Sequence, residues 1–354
     1  MFSGFVKGID PLGTAYRLED YFMVWGTDWM IPAAVTLSIL LSAMEFVLGF
    51  VVLLNLKPKV NSWILLGVMA YFTVLTFYDA IANPVPDCGC FGDAIKLTNV
   101  QTFIKNLILM VPTIFLFVNR KKVSDKFSDI AAYGTASVVT FLFIAFCVYN
   151  LWYLPVIDFM DWKKGNKMYS EKTLPVKYYV TYKNKATGEE KEYLSPNYPY
   201  NDSVWMSQWE FINQRVDDPN KNMGADLQIV DLDGNDVTGT VIQNPSYNFL
   251  LVCWDLNKAD ERSMKEMSDF AAKAEADGYS FIALTSSLRE EIAGISDTLG
   301  ISYDFYQADD VTLKTMVRSN PGLILMKDGV VIDKWAYREL PRYDQVKEEL
   351  MLVP

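Results

Sequence analysis

Four long apolar runs fill the first half of the chain, at 30–56, 63–82, 103–118 and 130–152, and nothing else constrains the fold as much. A helix needs roughly 20 predominantly apolar residues to cross the hydrocarbon core of a bilayer, and each run approaches that length. The third is the shortest, and Lys105 near its start can reach the interface along its own methylene stem. One such run could be the core helix of a water-soluble protein. Four in one half of a chain predict a helical bundle in a lipid bilayer. Beyond residue 159 charged and polar residues alternate with short apolar stretches, a change of solvent within one chain. The expected architecture is multidomain: a transmembrane bundle over 1–159, an extracytoplasmic linker with a β-hairpin over 160–223, and an α/β domain over 224–354.

Lysine and arginine orient the spans. Lys57 and Lys59 separate the first two, and Arg120, Lys121, Lys122 and Lys126 separate the last two. Loops rich in these residues stay on the cytoplasmic side. The segment 83–100 and everything after 152 are then extracytoplasmic, as expected of a multi-pass protein of the bacterial cytoplasmic membrane. Residues 1–29 also fall outside, without a complete span before them. This reading expects a longer natural form with one more N-terminal span, five in all.

Composition excludes much chemistry. The chain has no histidine, which removes Ser-His-Asp and Cys-His catalysis, the HExxH zinc helix and the usual haem ligand. Its four cysteines are too scattered for a zinc site. A net charge of −11 argues against nucleic acid, which asks for a clustered basic surface. Thiols and carboxylates remain as the reactive groups.

Cys88 and Cys90 lie in the loop between the second and third runs, a compartment that permits disulfides. A ring closed across one residue is tight, and Gly89 supplies the backbone freedom it needs. Such a ring restricts the unfolded chain very little, so structure gains little from it. Strained, exposed disulfides are the labile and catalytic ones. Redox exchange is therefore favoured over a constitutive disulfide or two reduced bystanders, which stay open. Cys147, in the last run, reads as a small apolar residue or, less favoured, as a third thiol. Glu45 falls in the middle of the first run, where an ionisable group is costly and faces the bundle interior. It could carry the proton of thiol chemistry or quinone reduction, or it could be a polar contact between helices, which is slightly preferred. Lys7 and Asp79 are its candidate partners. No cofactor motif is evident, and a quinone is compatible with the bundle without being indicated by it.

The segments FSGFVKGIDP, AMEFVLGFVVLL and PVPDCGCFGDAIKLTNVQTFIKNLILM resemble the DoxX-like/MauE (methylamine utilisation protein) membrane family over about residues 1–150. The CGCFGD loop before a helix carries most of the likeness. The resemblance implies a compact bundle of about four helices, distantly like that of vitamin K epoxide reductase. It also implies a link to the supply of a disulfide-rich periplasmic enzyme subunit.

In the second half, 176–183 and 189–194 read as a hairpin turning at 186–188, and 196–222 as a turn-rich connector. From about Gly224 strands and helices alternate. Strands are expected at 227–231, 248–254, 279–285 and 304–306, with helices at 261–277, 288–299, 310–317 and 344–351. A hairpin is expected at 322–326 and 330–335. Alternating β and α units imply a parallel-containing sheet covered by helices. This order, with SNPGLILMKDGVVIDKW, resembles the thioredoxin superfamily of the TlpA-like kind. Pro321 stands at the family's cis-proline, and Gly329 turns the last hairpin. A MauE-like bundle fused to such a domain looks like a combination found in Bacteroidetes-type bacteria. The family's CxxC is missing: the chain reads CWDLNKADERS, with Cys253 at the strand end and Asn257 and Asp260 nearest the absent pair. Without a thiolate at the helix N-terminus this domain is not expected to exchange disulfides itself.

Two readings of function remain. In one, a membrane-bound redox protein exchanges thiols through Cys88 and Cys90 with a periplasmic partner docked by the degenerate domain. In the other, the chain is a non-enzymatic membrane-anchored scaffold. A permease is weaker, because one buried carboxylate makes a thin substrate site.

Overall fold

The structure is a computed structural model that describes residues 1–85, 87–123, 127–169, 177–199, 202–217 and 227–351. Lys126, Val176 and Gly224, used above as a loop charge and as segment bounds, fall outside the described residues. The chain divides into two compact units. The first comprises Met1–Met160, Val317–Gly322 and Trp335–Leu340, and the second the remainder.

The first unit opens with two helices that precede the long apolar ones, α1 (Phe2–Ile9) and α2 (Pro11–Val24). Asp10 separates them, capping α2 by accepting from the Gly13 amide at 2.9 Å, with Pro11 at the first helical position. After a short 3₁₀ turn come α3 (Ala34–Leu53), α4 (Pro58–Ala82), α5 (Asn99–Asn119) and α6 (Asp129–Trp152). These four are long and apolar enough to cross a membrane. The third span is a full helix. It starts at Asn99, ahead of its apolar run, because Thr98 and Gln101 close a capping box on its first turn.

The outward faces of these helices are apolar, with Val74, Val111, Phe115 and Phe141 all exposed. In water this would be an untenable patch, so lipid is their solvent. The inward faces carry small and polar side chains. Gly4 brings α1 so close to α3 that a β-carbon there would lie 2.5 Å from the Ser42 carbonyl oxygen and the Phe46 amide. Asn106 of α5 donates to the Thr76 hydroxyl and the Phe72 carbonyl of α4. Ser38 of α3 donates to the Pro11 carbonyl at 2.7 Å. Without a hydrophobic drive between helices in lipid, close packing and such bonds hold a bundle together.

Among the described residues the second unit contains two sheets. A three-stranded antiparallel sheet has the order β2-β1-β3, from β1 (Lys177–Asn184), β2 (Glu190–Leu194) and β3 (Trp209–Asp217). The segment expected to be only a connector thus supplies α7 (Ser203–Gln208) and the strand β3. Its aromatic residues explain the ordering: Trp205 and Trp209 pack with Tyr182, Tyr193 and Tyr198 in one cluster. The other sheet has the order β6-β5-β4-β7-β8. Its strands are β4 (Tyr247–Val252), β5 (Ser280–Thr285), β6 (Asp304–Gln307), β7 (Gly322–Lys327) and β8 (Val330–Ala336). The first three are parallel. Asp328 and Gly329, both at positive φ, join β7 to β8. Helices α8 (Thr238–Ile242), α9 (Glu261–Ala276), α10 (Arg289–Leu299), α11 (Asp310–Met316) and α12 (Tyr343–Val346) intervene. The strand expected at 227–231 is reduced to isolated bridges of Val230 with Asp236 and Gln307. Phe249 through Val252 are wholly buried, each such side chain contributing about 1.5–3 kcal/mol. The Asn320–Pro321 peptide is cis, as the sequence position implied.

Candidate functional site

The loop between α4 and α5 carries the two cysteines. Their sulfurs lie 3.2 Å apart, in hydrogen-bond contact. Gly89 between them has φ +61°, and its amide donates to Asp87 Oδ1 at 2.9 Å. Gly92 at φ +52° closes a turn back to the Gly89 carbonyl at 3.0 Å. Both conformations favour glycine. The loop is tethered on each side of the thiols. Asp87 pairs with Arg17 of α2 at 2.9 Å. Asp93 pairs with Arg318 at 2.9 Å, and Arg318 also grips Asp10 at 2.9 Å. Arg318 belongs to the stretch Val317–Gly322 that clusters with the first unit.

The two thiols are electrostatically unequal. The hydrogen bond from Cys88 brings Cys90 down to about 6, against the effect of burial and with help from the positive charges of Lys105 and Lys7. The same bond, then burial, then the negative charge on Cys90 push Cys88 up. Of the reduced pair, Cys90 therefore gives up its proton more readily than Cys88. Lys105, expected to reach for the membrane interface, places its ammonium 4.8 Å above the Phe91 ring of the loop, beside Cys90.

Below the pair, Lys7 Nζ and Glu45 Oε1 meet at 2.6 Å, and both side chains are largely buried. The Ser3 hydroxyl lies 2.6 Å from both Glu45 Oε2 and the Cys90 carbonyl oxygen, and can donate to either. Both Glu45 oxygens are therefore engaged. Of its two candidate partners Lys7 makes the pair. Asp79 instead accepts from the Tyr21 hydroxyl at 2.7 Å.

The other cysteines lie elsewhere. Cys147 is fully buried with Ala43 and Phe143 in an apolar cluster. In the second unit Cys253 is wholly buried after β4, and burial pushes its thiol up. Asp260 caps α9 by accepting from the Ser263 amide, and Asn257 donates to Glu291. No group of ligands that could hold a metal occurs among the described residues.

Sequence reasoning named Cys88, Gly89, Cys90, Lys7 and Glu45. It missed Ser3, Arg17, Tyr21, Lys105 and Arg318 as parts of one site. Ser3 and Lys7 stand four apart on α1 and so share a face, a signal that was present. Arg318 gave none, since it reads as an ordinary charge beside a proline.

Residues 1–119 match the model of the methylamine utilisation protein MauE family. In this chain a MauE-like membrane part is followed by an α/β region. Over 140 residues it is 26% identical to Protein TlpB of Flavobacterium psychrophilum, an alignment covering 39% of this chain and 35% of that protein. The chain thus spans about a third of the length of the curated relative it matches. Among solved structures, a putative protein disulfide isomerase from Bacteroides thetaiotaomicron matches 35% of this chain and 82% of its own, at 13% identity and TM-score 0.30. The thioredoxin domain of a thiol-disulfide oxidoreductase from Bacteroides vulgatus matches 34% and 90%, at 14% identity and TM-score 0.28. The MauE-like part holds three of the four apolar helices and the fourth follows it directly, which makes this a multi-pass membrane protein.

Proposed function

We propose that the protein exchanges thiols and disulfides at the membrane surface through Cys88 and Cys90, with an extracytoplasmic disulfide protein as partner. One observation carries this reading: a hydrogen-bonded cysteine pair in which Lys105 and Lys7 favour the thiolate of Cys90 alone. A thiolate present at neutral pH is what attack on a disulfide requires. Cys90 Sγ attacks one sulfur of the partner's disulfide. That bond breaks, a mixed disulfide forms on Cys90, and one partner sulfur leaves and takes up a proton. Cys88 then loses its proton, attacks Cys90 Sγ and displaces the second partner sulfur. Two electrons have passed to the partner, and Cys88–Cys90 holds the disulfide. Run backwards, the same steps oxidise a dithiol. The thioredoxin-like domain brings no thiol to this chemistry, because Cys253 is buried. Its contribution is a surface for the partner.

The inequality of the thiols fixes the trapping experiment. Cys88→Ala should accumulate a mixed disulfide on Cys90, visible as a mass shift on non-reducing gels, and Cys90→Ala should not. A pair that stays oxidised in cells under all growth conditions, with both alanine variants leaving partner redox states unchanged, would sink the exchange reading in favour of a scaffold.

A further inference from the structure

We propose that Arg318 is a positioning residue for the cysteine loop, holding Cys90 against its lysines by gripping Asp93. The inference rests on the exchange reading of the pair. Arg318 stands 225 residues beyond Asp93 in sequence, yet its side chain is almost wholly buried, at 5% exposure. Its guanidinium donates from Nε to Asp10 and from Nη2 to Asp93. It also meets Met160 Sδ at 3.4 Å and lies 5.4 Å over the Tyr16 ring. Buried arginines keep such geometry because a planar fork can satisfy two carboxylates at once.

Asp10 is buried and Asp93 partly so, at 7% and 14% side-chain exposure. A β-carbon on Gly13 would touch both, at 2.6 and 2.8 Å, so the carboxylates are neighbours with the guanidinium between them. Each does a second job. Asp10 caps α2 and ends α1, the helix that carries Ser3 and Lys7. Asp93 ends the tight turn in which Gly92 donates back to Gly89. One cation thus ties the helix that supplies Lys7 to the loop that supplies Cys90.

Without it, two like charges confront each other in a buried space, and the loop loses the tether that follows the thiols. Both changes act against the Cys90 thiolate. The groups facing that thiolate are Cys88, Lys105, Lys7 with its partner Glu45, and Tyr21 with Asp79. None is altered chemically by a change at Arg318. A shift at Cys90 would therefore report displacement of the loop, and the uncovered carboxylates can be removed separately.

The test is the pH dependence of Cys90 alkylation in the full-length reduced protein in detergent, read peptide by peptide by mass spectrometry. Arg318→Met and the triple variant Arg318→Met/Asp10→Asn/Asp93→Asn are compared with wild type. The triple variant removes all three charges and keeps the fold testable if the single one unfolds. Arg338→Met, which loses stacking on Trp152 and Tyr337, is the control. We expect wild type and the control to titrate well below the ordinary thiol range. The triple variant should react on the order of tenfold more slowly below the midpoint, the equivalent of one pKa unit. A triple variant with the wild-type profile overturns the role of Arg318 and leaves the exchange reading intact. A wild-type Cys90 that titrates as an ordinary thiol, or is never reduced, overturns both.

Discussion

At the scale of single residues, the Lys7–Glu45 pair and Cys90 obey opposite arithmetic. Taking two charges out of water is costly, and their attraction only repays it when both are present. Removing one partner, as in Lys7→Met or Glu45→Gln, should destabilise the bundle by about 3–5 kcal/mol, the usual cost of an uncompensated buried charge. The double variant Lys7→Met/Glu45→Met should recover most of it, as measured by thermal unfolding in detergent. Both residues were legible beforehand, because a lone charge within an apolar run demands a partner. Cys90 couples stability to pH instead. Its folded value, about 6, lies below the ordinary thiol value of about 8.5. Folding therefore favours the thiolate, and the reduced protein should gain stability as pH rises from about 6 to about 8.5. At higher pH the raised Cys88 acts in the opposite sense. Cys90→Ala should flatten the gain, as measured by unfolding midpoints across this range under reducing conditions.

At the scale of elements, α1 is what the sequence described least well. FSGFVKGIDP resembled a family segment, but its apolar length was too short to be read as a span. The structure shows why its glycines matter: Gly4 seats α1 on the backbone of α3, and a β-carbon on Gly8 would meet the Phe143 ring at 2.6 Å. Gly4→Ala must push α1 off α3, since the obstructing atoms are backbone and cannot swing aside. Because Ser3 and Lys7 ride on α1, the same change should slow Cys90 alkylation as well as lower the unfolding temperature by several degrees. An unaltered alkylation rate would show that α1 does not set the thiolate. The spans were legible because length in lipid is a simple requirement, and the βα alternation because buried strands such as Phe249–Val252 are continuously apolar. β3 was not, because its residues alternate weakly and its order comes from Trp205 and Trp209 meeting tyrosines distant in sequence.

At the scale of the molecule, crossing number is a strong check. Two spans, α3 and α4, separate Asp10 from Asp93, and two more, α5 and α6, separate Asp93 from Arg318. Residues that share one ion cluster must share one side of the membrane, and only even numbers of crossings allow it. The positive charges at Lys57, Lys59 and Arg120–Lys122 fall at the opposite ends of the spans, the ends that the charge rule expects to face the cytoplasm. Single cysteines introduced at Ile95 and Lys258, in a background with the native cysteines replaced, should react with an impermeant maleimide from outside intact cells. One at Lys59 should react only after permeabilisation, and labelling of Lys59 from outside would invert the topology.

The guanidinium between Asp10 and Asp93 also carries a consequence in time. A ribosome delivers the cysteine loop and its lysines long before it reaches codon 318. Under the proposed role, the loop acquires its final tether only when that late stretch of chain has crossed the membrane and arrived at Asp93. A nascent or prematurely terminated chain would own both thiols yet lack that tether. Thiol reactivity would then reach its full level only as synthesis nears completion, a safeguard against stray crosslinks written into the order of translation.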